Sequence, residues 1–203
     1  MLIILGLVSL SFSVHAQEIK YGVKAGLNVN NLDVSPELDP PKPSARLGVH
    51  LGGFAQFDLS DALMLQPELV LSTQGANDED PEVEQNVKLT YLNLSGLVKY
   101  QVGNGFDVFA GPQLGLLVDG EFEEVDKADG SQELYAADAV YKGTDFSFSF
   151  GAGYTLESGI HLNLRYNFGL SDNNDDPQEL AFYDINQEVK NRTFQISIEY
   201  TFN

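Results

Sequence analysis

Residues 193–202 alternate without a fault, with Phe194, Ile196, Ile198, Tyr200 and Phe202 on one face and Thr193, Gln195, Ser197, Glu199 and Thr201 on the other. Successive side chains of a strand point to opposite faces, so residues 192–202 read as a β-strand with one apolar side. Seven upstream segments obey the same period, over residues 19–30, 45–59, 63–74, 88–102, 106–118, 145–156 and 160–170. None has helical spacing. Each runs for roughly 10 to 15 residues, enough for a tilted strand to cross a bilayer. The pattern predicts an all-β chain folded as an eight-stranded antiparallel up-and-down transmembrane β-barrel.

The connections sort into two alternating classes. Residues 60–62, 103–105 and 157–159 are tight, whereas 31–44, 75–87, 119–144 and 171–191 are long. Tight and long ends then lie on opposite rims. An even strand count puts both termini on the tight side, the arrangement of barrels with short periplasmic turns and longer outer loops. Acidic residues follow this division. Asp33, Asp39, Asp78, Glu79, Asp80, Glu121, Glu123, Glu124, Asp126, Asp172, Asp175 and Asp176 all fall in long connections.

The chain carries 30 Asp and Glu against 11 Lys and Arg, a net charge of -19. Nucleic acid is excluded as a partner, because its binding depends on basic residues displacing counterions. The chain has no cysteine, which removes disulfides, thiolate metal sites and cysteine nucleophiles. An apolar fraction of only 43% does not count against a barrel, because alternating faces cancel in any window average.

Residues 1–16 form an apolar leader ending in Val14 and Ala16, placed at the -3 and -1 positions of a cleavage site. Sixteen residues are too few for a spanning helix, which needs roughly 20. The expected organisation is a signal peptide over 1–16 and an outer-membrane barrel domain over 17–203.

Period alone does not say which face meets lipid. The polar set combines glycines with Lys24, Arg46, Gln66, Glu68, Lys99, Arg165 and Glu199. Eight strands enclose only enough room for side chains to fill, so small residues beside a few long charged ones suit the interior. Lys24, Arg46, Glu68, Lys99, Arg165 and Glu199 are therefore the candidate polar residues of the lumen. Lys20, Lys24, Arg46, Lys99 and Arg165 stand ready to meet Asp58, Glu68, Asp107, Asp145 and Glu199, which favours a neutralised plug over a selectivity filter. His50 and His161 fall on the same polar side, as interior hydrogen-bonded histidines. The bulky face looks outward. Its aromatics Tyr21, Phe57, Tyr100, Phe106, Tyr154, Tyr200 and Phe202 near the tight rim, and Phe146, Phe168 and Phe194 near the other, are candidates for membrane girdles. Pro67 and Pro112 lie inside spanning strands and cannot donate to a ladder, so bulges or register breaks are expected beside them.

Several local strings are familiar in type: Tyr21-Gly22-Val23-Lys24-Ala25-Gly26-Leu27-Asn28, Tyr91-Leu92-Asn93-Leu94, Gly111-Pro112, Gly151-Ala152-Gly153-Tyr154 and Arg165-Tyr166-Asn167-Phe168-Gly169-Leu170. In order and spacing they resemble the PorT-like outer-membrane β-barrel family of porin-type proteins, over essentially the whole mature chain. Ser95 departs from the proline such proteins often carry, and Asn203 follows the usual terminal aromatic. The resemblance implies location and fold, assembly by the outer-membrane machinery and contact with outer-membrane lipid. It implies no shared catalytic residue.

No enzyme chemistry or cofactor is expected. Asp172, Asn174 and Asp176 open like a calcium loop, yet Pro177 replaces the required glycine and Tyr183 the bidentate glutamate. Weak association of divalent cations with the acidic rim is the remaining metal expectation. The reading is a non-enzymatic barrel with long acidic outer loops and a structural or interaction role. Loops 119–144 and 171–191 are the expected contacts for an envelope partner. A narrow channel for small solutes and a secreted lipocalin-like binder are the alternatives.

Overall fold

The computed structural model describes residues 19–35, 44–79, 83–136, 141–174 and 188–202. The leader over 1–16, the loop acids Asp39, Asp80, Asp175 and Asp176, and Asn203 lie outside the described residues. The described chain forms β1 (Lys20–Ser35), β2 (Ser44–Asp58), β3 (Leu63–Glu79), β4 (Val83–Gly103), β5 (Phe106–Asp126), β6 (Gln132–Ala136), β7 (Thr144–Thr155), β8 (Ile160–Gly169) and β9 (Glu188–Phe202). All pairings are antiparallel. The order β4-β3-β2-β1-β9-β8-β7-β5 is closed by β4 pairing with β5, giving an eight-stranded barrel, and β6 is a short ninth strand on the outer end of β5.

The register fixes the shape. Cross-strand partners followed round the ring from Gly22 run through Phe54, Glu68, Ser95, Gln113, Ser147 and Gly169; continued to Asn191, the path re-enters β1 at Leu32, ten residues past its start. A stagger of ten over eight strands tilts them by about 40° and sets a radius of about 8 Å. At that tilt the 10 residues of β8 climb about 25 Å, the height of a barrel's apolar band. The 21 residues of β4 and of β5 climb about 50 Å, so these strands rise far beyond the band.

The tight rim is built by local turn chemistry. Asn104 (φ 51°) and Gly105 (φ 82°) form a two-residue hairpin loop, the left-handed pair that matches strand twist. Five strands extend past their predicted ends: β1 reaches Ser35, β3 reaches Glu79, β4 begins at Val83, β5 reaches Asp126 and β9 begins at Glu188. Most of the connection 75–87 and part of the other long ones is therefore ladder, and residues 132–136 of the longest one form β6.

The prolines behave differently from expectation. Pro67 pairs with Gly96, and Pro112 with Phe148, in unshifted register. The ladder is interrupted only on one side of each proline, where the missing N–H would have pointed. Register shifts occur elsewhere, between Ala45 and His50, Thr90 and Tyr91, and Gln101 and Gly103. In the first of these, side chains replace the ladder. Thr73 Oγ1 accepts from the Val49 amide at 2.8 Å, and Asn28 Nδ2 donates to the Thr73 carbonyl at 2.9 Å. Gly48 permits this, since a Cβ there would collide with the Thr73 carbonyl.

Candidate functional site

Within the band, the interior is an ion-pair network. Lys24, Glu68, Lys99, Arg165 and Glu199 are each 4% exposed or less. Arg165 on β8 donates two bonds of 2.8 Å to the two oxygens of Glu68 on β3. In the ring β3 and β8 are diametrically opposed, so this bidentate pair spans the bore. Lys24 on β1 lies 3.3 Å from Glu68 and 3.1 Å from Glu199, and Lys99 on β4 lies 3.5 Å from Glu199 on the opposite strand β9. Asp107 faces Lys99 at 3.9 Å and His161 at 2.7 Å. The three cations Lys24, Lys99 and Arg165 thus meet the three carboxylates Glu68, Asp107 and Glu199. Phe109 fills the space between, with Lys99 5.6 Å and Arg165 5.3 Å from its ring centre.

Four expected members stand apart. Arg46 sits half-buried at the outer end of β2, donating to Asn77 Oδ1 at 3.0 Å, because its strand position lies too far along the axis to reach the network. Asp145 is buried without a cation within ion-pair distance among the described residues; Asn173 Nδ2 donates to it at 2.8 Å and Ser171 Oγ at 3.2 Å. Lys20 pairs with Asp58 at 2.7 Å on the tight rim.

His50 is held by Asn28 Oδ1 on Nδ1 and Ser197 Oγ on Nε2, both at 2.7 Å. Serine, imidazole and amide stand in the order of a nucleophile, its base and an orienting group. Both His50 and Ser197 are fully enclosed, however, and Gly26 is packed so closely that a Cβ there would strike the imidazole. The chain of bonds is a brace within the wall.

Above the band the interior changes character. Leu32, Ala76, Val87, Leu89, Tyr91, Tyr141 and Val189 form a buried apolar cluster, flanked by Val34 and Leu117. These residues come from the strand extensions β1, β3, β4, β5 and β9 and from the segment before β7. Most outward positions there are polar or charged, among them Asn31 and Asp33, Lys88 and Asn86, Asp119, Glu121 and Glu123, with Leu134 an exposed exception. Burying such a cluster removes several large side chains from water, each contributing about 1.5–3 kcal/mol.

The gap left where β7 and β8 stop short is bridged by a knot around Asp172. Its carboxylate accepts from the Val189 amide at 2.9 Å, the Asn174 amide at 3.1 Å and Lys142 Nζ at 3.0 Å. Asn173 N donates to the Val189 carbonyl at 2.8 Å, and Lys142 N to the Asn173 carbonyl at 3.0 Å. Partial burial pulls the Asp172 pKa upward, but the two amides and Lys142 outweigh it and hold the carboxyl below the usual range. Its oxygens are thus occupied by donors. Among the described residues no group of three or more His, Asp or Glu side chains is arranged to hold a metal ion. Sequence reasoning missed this knot, because nothing in periodicity links Lys142, Asp172 and Val189.

The outer wall is apolar over the band. Tyr21, Tyr100, Phe106, Tyr154, Phe168, Tyr200 and Phe202 are exposed and Phe57 is half-buried, all on the outside.

Comparison with known proteins agrees with this geometry. The family described as outer membrane protein beta-barrel domain matches residues 15–175. The fold is similar to that of Ail, the attachment invasion locus protein of Yersinia pestis, solved in complex with the heparin analogue sucrose octasulfate. The identity is 12%, the match covers 91% of this chain and 99% of that one, and the TM-score is 0.52. Neisserial surface protein A (NspA) is similar at 12% identity over 90% of this chain and 97% of that one, with a TM-score of 0.51. At such identities the likeness concerns the fold alone. No curated protein matches the sequence.

Proposed function

The chain belongs to the outer membrane protein beta-barrel domain family, and on that premise we propose that it is a non-enzymatic barrel whose sealed interior anchors a tall acidic outer tier that meets a partner in the envelope. It is a protein of the outer membrane. The observation that carries the role is the closure of the bore at two levels. Ion pairs cross it within the band, and Tyr91, Leu89, Val87 and Tyr141 fill it above. A bore closed by both leaves the outer surface as the place where chemistry can be offered.

Within the family, the resemblance of the strings around Tyr21 and Arg165 supports a likeness to the PorT-like proteins. Residues 1–16 serve as signal peptide and 17–203 as the barrel domain, delivered to the outer-membrane assembly machinery. The aromatics Tyr21, Phe57, Tyr100, Phe106, Tyr154, Tyr200 and Phe202 then mark the periplasmic headgroup level, with Phe168 at the outer one. The polysulfated ligand bound to Ail is not carried over. A rim bearing Asp119, Glu121 and Glu123 repels polyanions and nucleic acid alike, and attracts divalent cations only weakly. The secreted lipocalin-like alternative conflicts with an apolar outer wall. The enclosed Ser197 and His50 offer no room for a substrate.

Reconstitution into planar bilayers tests the sealed bore: current at the leak level is expected, and discrete conductance steps would instead support a solute channel. Photo-crosslinkers placed in 119–144 and 171–191 of cell-surface protein are expected to capture an envelope protein. Crosslinks to lipid alone would reduce the role to structure.

A further inference from the structure

Among the described residues four carboxylates are buried: Glu68, Asp107, Asp145 and Glu199. Three of them meet Lys24, Lys99 or Arg165, whereas Asp145 meets no cation. The field of Arg192 reaches it, but that guanidinium is bound outward to Asp33 at 2.6 Å. Segments 137–140 and 175–187 contain no lysine or arginine, and Lys42 is the one Lys or Arg outside the described residues. An ionised carboxylate enclosed away from water needs a counter-charge. Both hydrogen bonds that Asp145 accepts within the described residues, from Asn173 Nδ2 and Ser171 Oγ, go to Oδ1. Asn191 Nδ2 approaches the same carboxylate without completing a hydrogen bond.

A second observation lies on the row of cross-strand partners Asn93, Gly115 and Asp145. Asn93 is 2% exposed, and its Oδ1 has no hydrogen-bond partner. The backbones of β4 and β7 stand about 10 Å apart across β5. Gly115, having no side chain, leaves the gap between them open. A Cβ there would stand 2.8 Å from Asn93 Oδ1, 3.5 Å from Asp145 Cβ and 3.2 Å from Tyr91 Cδ1. Tyr91 carries a buried hydroxyl that likewise has no partner. An amide oxygen and a carboxylate, acceptors both, thus converge over Gly115.

We propose that this junction between the band and the upper tier binds one alkali-metal ion, with the Asp145 carboxylate, Asn93 Oδ1 and the Tyr91 hydroxyl as oxygen ligands. The inference does not depend on the partner role assigned above. A single carboxylate among neutral oxygens matches a single positive charge. A divalent ion would leave an enclosed excess of charge, and calcium loops draw on several carboxylates. The site differs in kind from a cluster of three or more acidic or imidazole groups, which the described residues lack. Bound there, the ion ties β4 and β7 to Ser171 and Asn173, which lead into the Asp172 knot, and so couples the outer tier to the band.

The test uses the full chain in lipid nanodiscs, titrated with sodium chloride against choline chloride at constant ionic strength and neutral pH. Sodium is expected to shift the amide resonances of Asn93, Gly115 and Asp145 saturably, and choline to leave them unmoved. Asp145→Asn, of the same size but uncharged, loses the response and keeps the barrel. Asn93→Asp adds a second carboxylate and moves the preference to calcium chloride. A response shared by sodium and choline, or one that survives Asp145→Asn, overturns the proposal. Resonances that follow pH alike in both salts, with no sodium response, assign a proton to Asp145 in place of a metal ion and also overturn it. Lys42→Gln is expected to leave the sodium response as it is; a response present only in that variant would make Lys42 the counter-charge and sink the idea.

Discussion

The lower and upper tiers of this barrel are built from the same strands with the same alternation, yet they are chemically inside out. In the band, β4 points Leu94 and Val98 outward and Asn93, Ser95 and Lys99 inward; above it, the same strand points Lys88 outward and Val87, Leu89 and Tyr91 inward. The strand does not change, but its solvent does. Lipid rewards an apolar exterior, and water above the membrane rewards an apolar core. The switch falls between Tyr91 and Leu92 on β4, between Val29 and Leu32 on β1 and between Val189 and Phe194 on β9.

Substitutions that treat the tiers as opposites should separate them. Arg165→Ala leaves Glu68 buried across the bore without its bidentate partner and is expected to cost about 3–5 kcal/mol, read from urea unfolding in lipid vesicles. Restoring a neutral pair with Glu68→Gln in the same chain should recover part of it. Ile198→Arg, halfway along the lipid-facing side of β9, should cost about 2–4 kcal/mol, whereas Glu188→Arg at the outer end of that strand should stay within about 0.5 kcal/mol. Equal costs would erase the distinction between the tiers. Leu89→Ala tests the upper core and should lose about 2–4 kcal/mol through its cavity, with amide exchange rising in 83–91 and 117–126 before the band is affected. The smallest effect concerns the Asp172 knot. A carboxyl held below its ordinary range adds stability above that range and loses it as pH falls through the depressed value. The Val189 and Asn174 amides should therefore stay protected at neutral pH and through about pH 4, and exchange faster only in stronger acid. Asp172→Asn should flatten that dependence.

The same inversion explains what could be read beforehand. Inside the band one phase of alternation holds, so the barrel and its five buried lumen residues Lys24, Glu68, Lys99, Arg165 and Glu199 were legible. The predicted strands stopped at residues 30, 74, 88, 118 and 192 because there the apolar phase slips, and a slip reads as loop when one solvent is assumed. The β2, β7 and β8 segments carry no slip, and their predicted limits lie within a residue of the observed ones. Arg46 and Asp145 miss the ion-pair network for a different reason: period gives the face but not the height along the axis. The prolines misled because a missing donor can be absorbed by one lost bond without inserting a residue.

The Glu68–Arg165 crossbar joins positions 97 residues apart on opposite staves of the ring. Its span is fixed only in the closed ring, because with a seam such as β1 against β9 open the staves are not held facing one another. Completion of the circle is thus registered at its centre, and a half-zipped sheet gains nothing from these charges except the burden of hiding them from lipid.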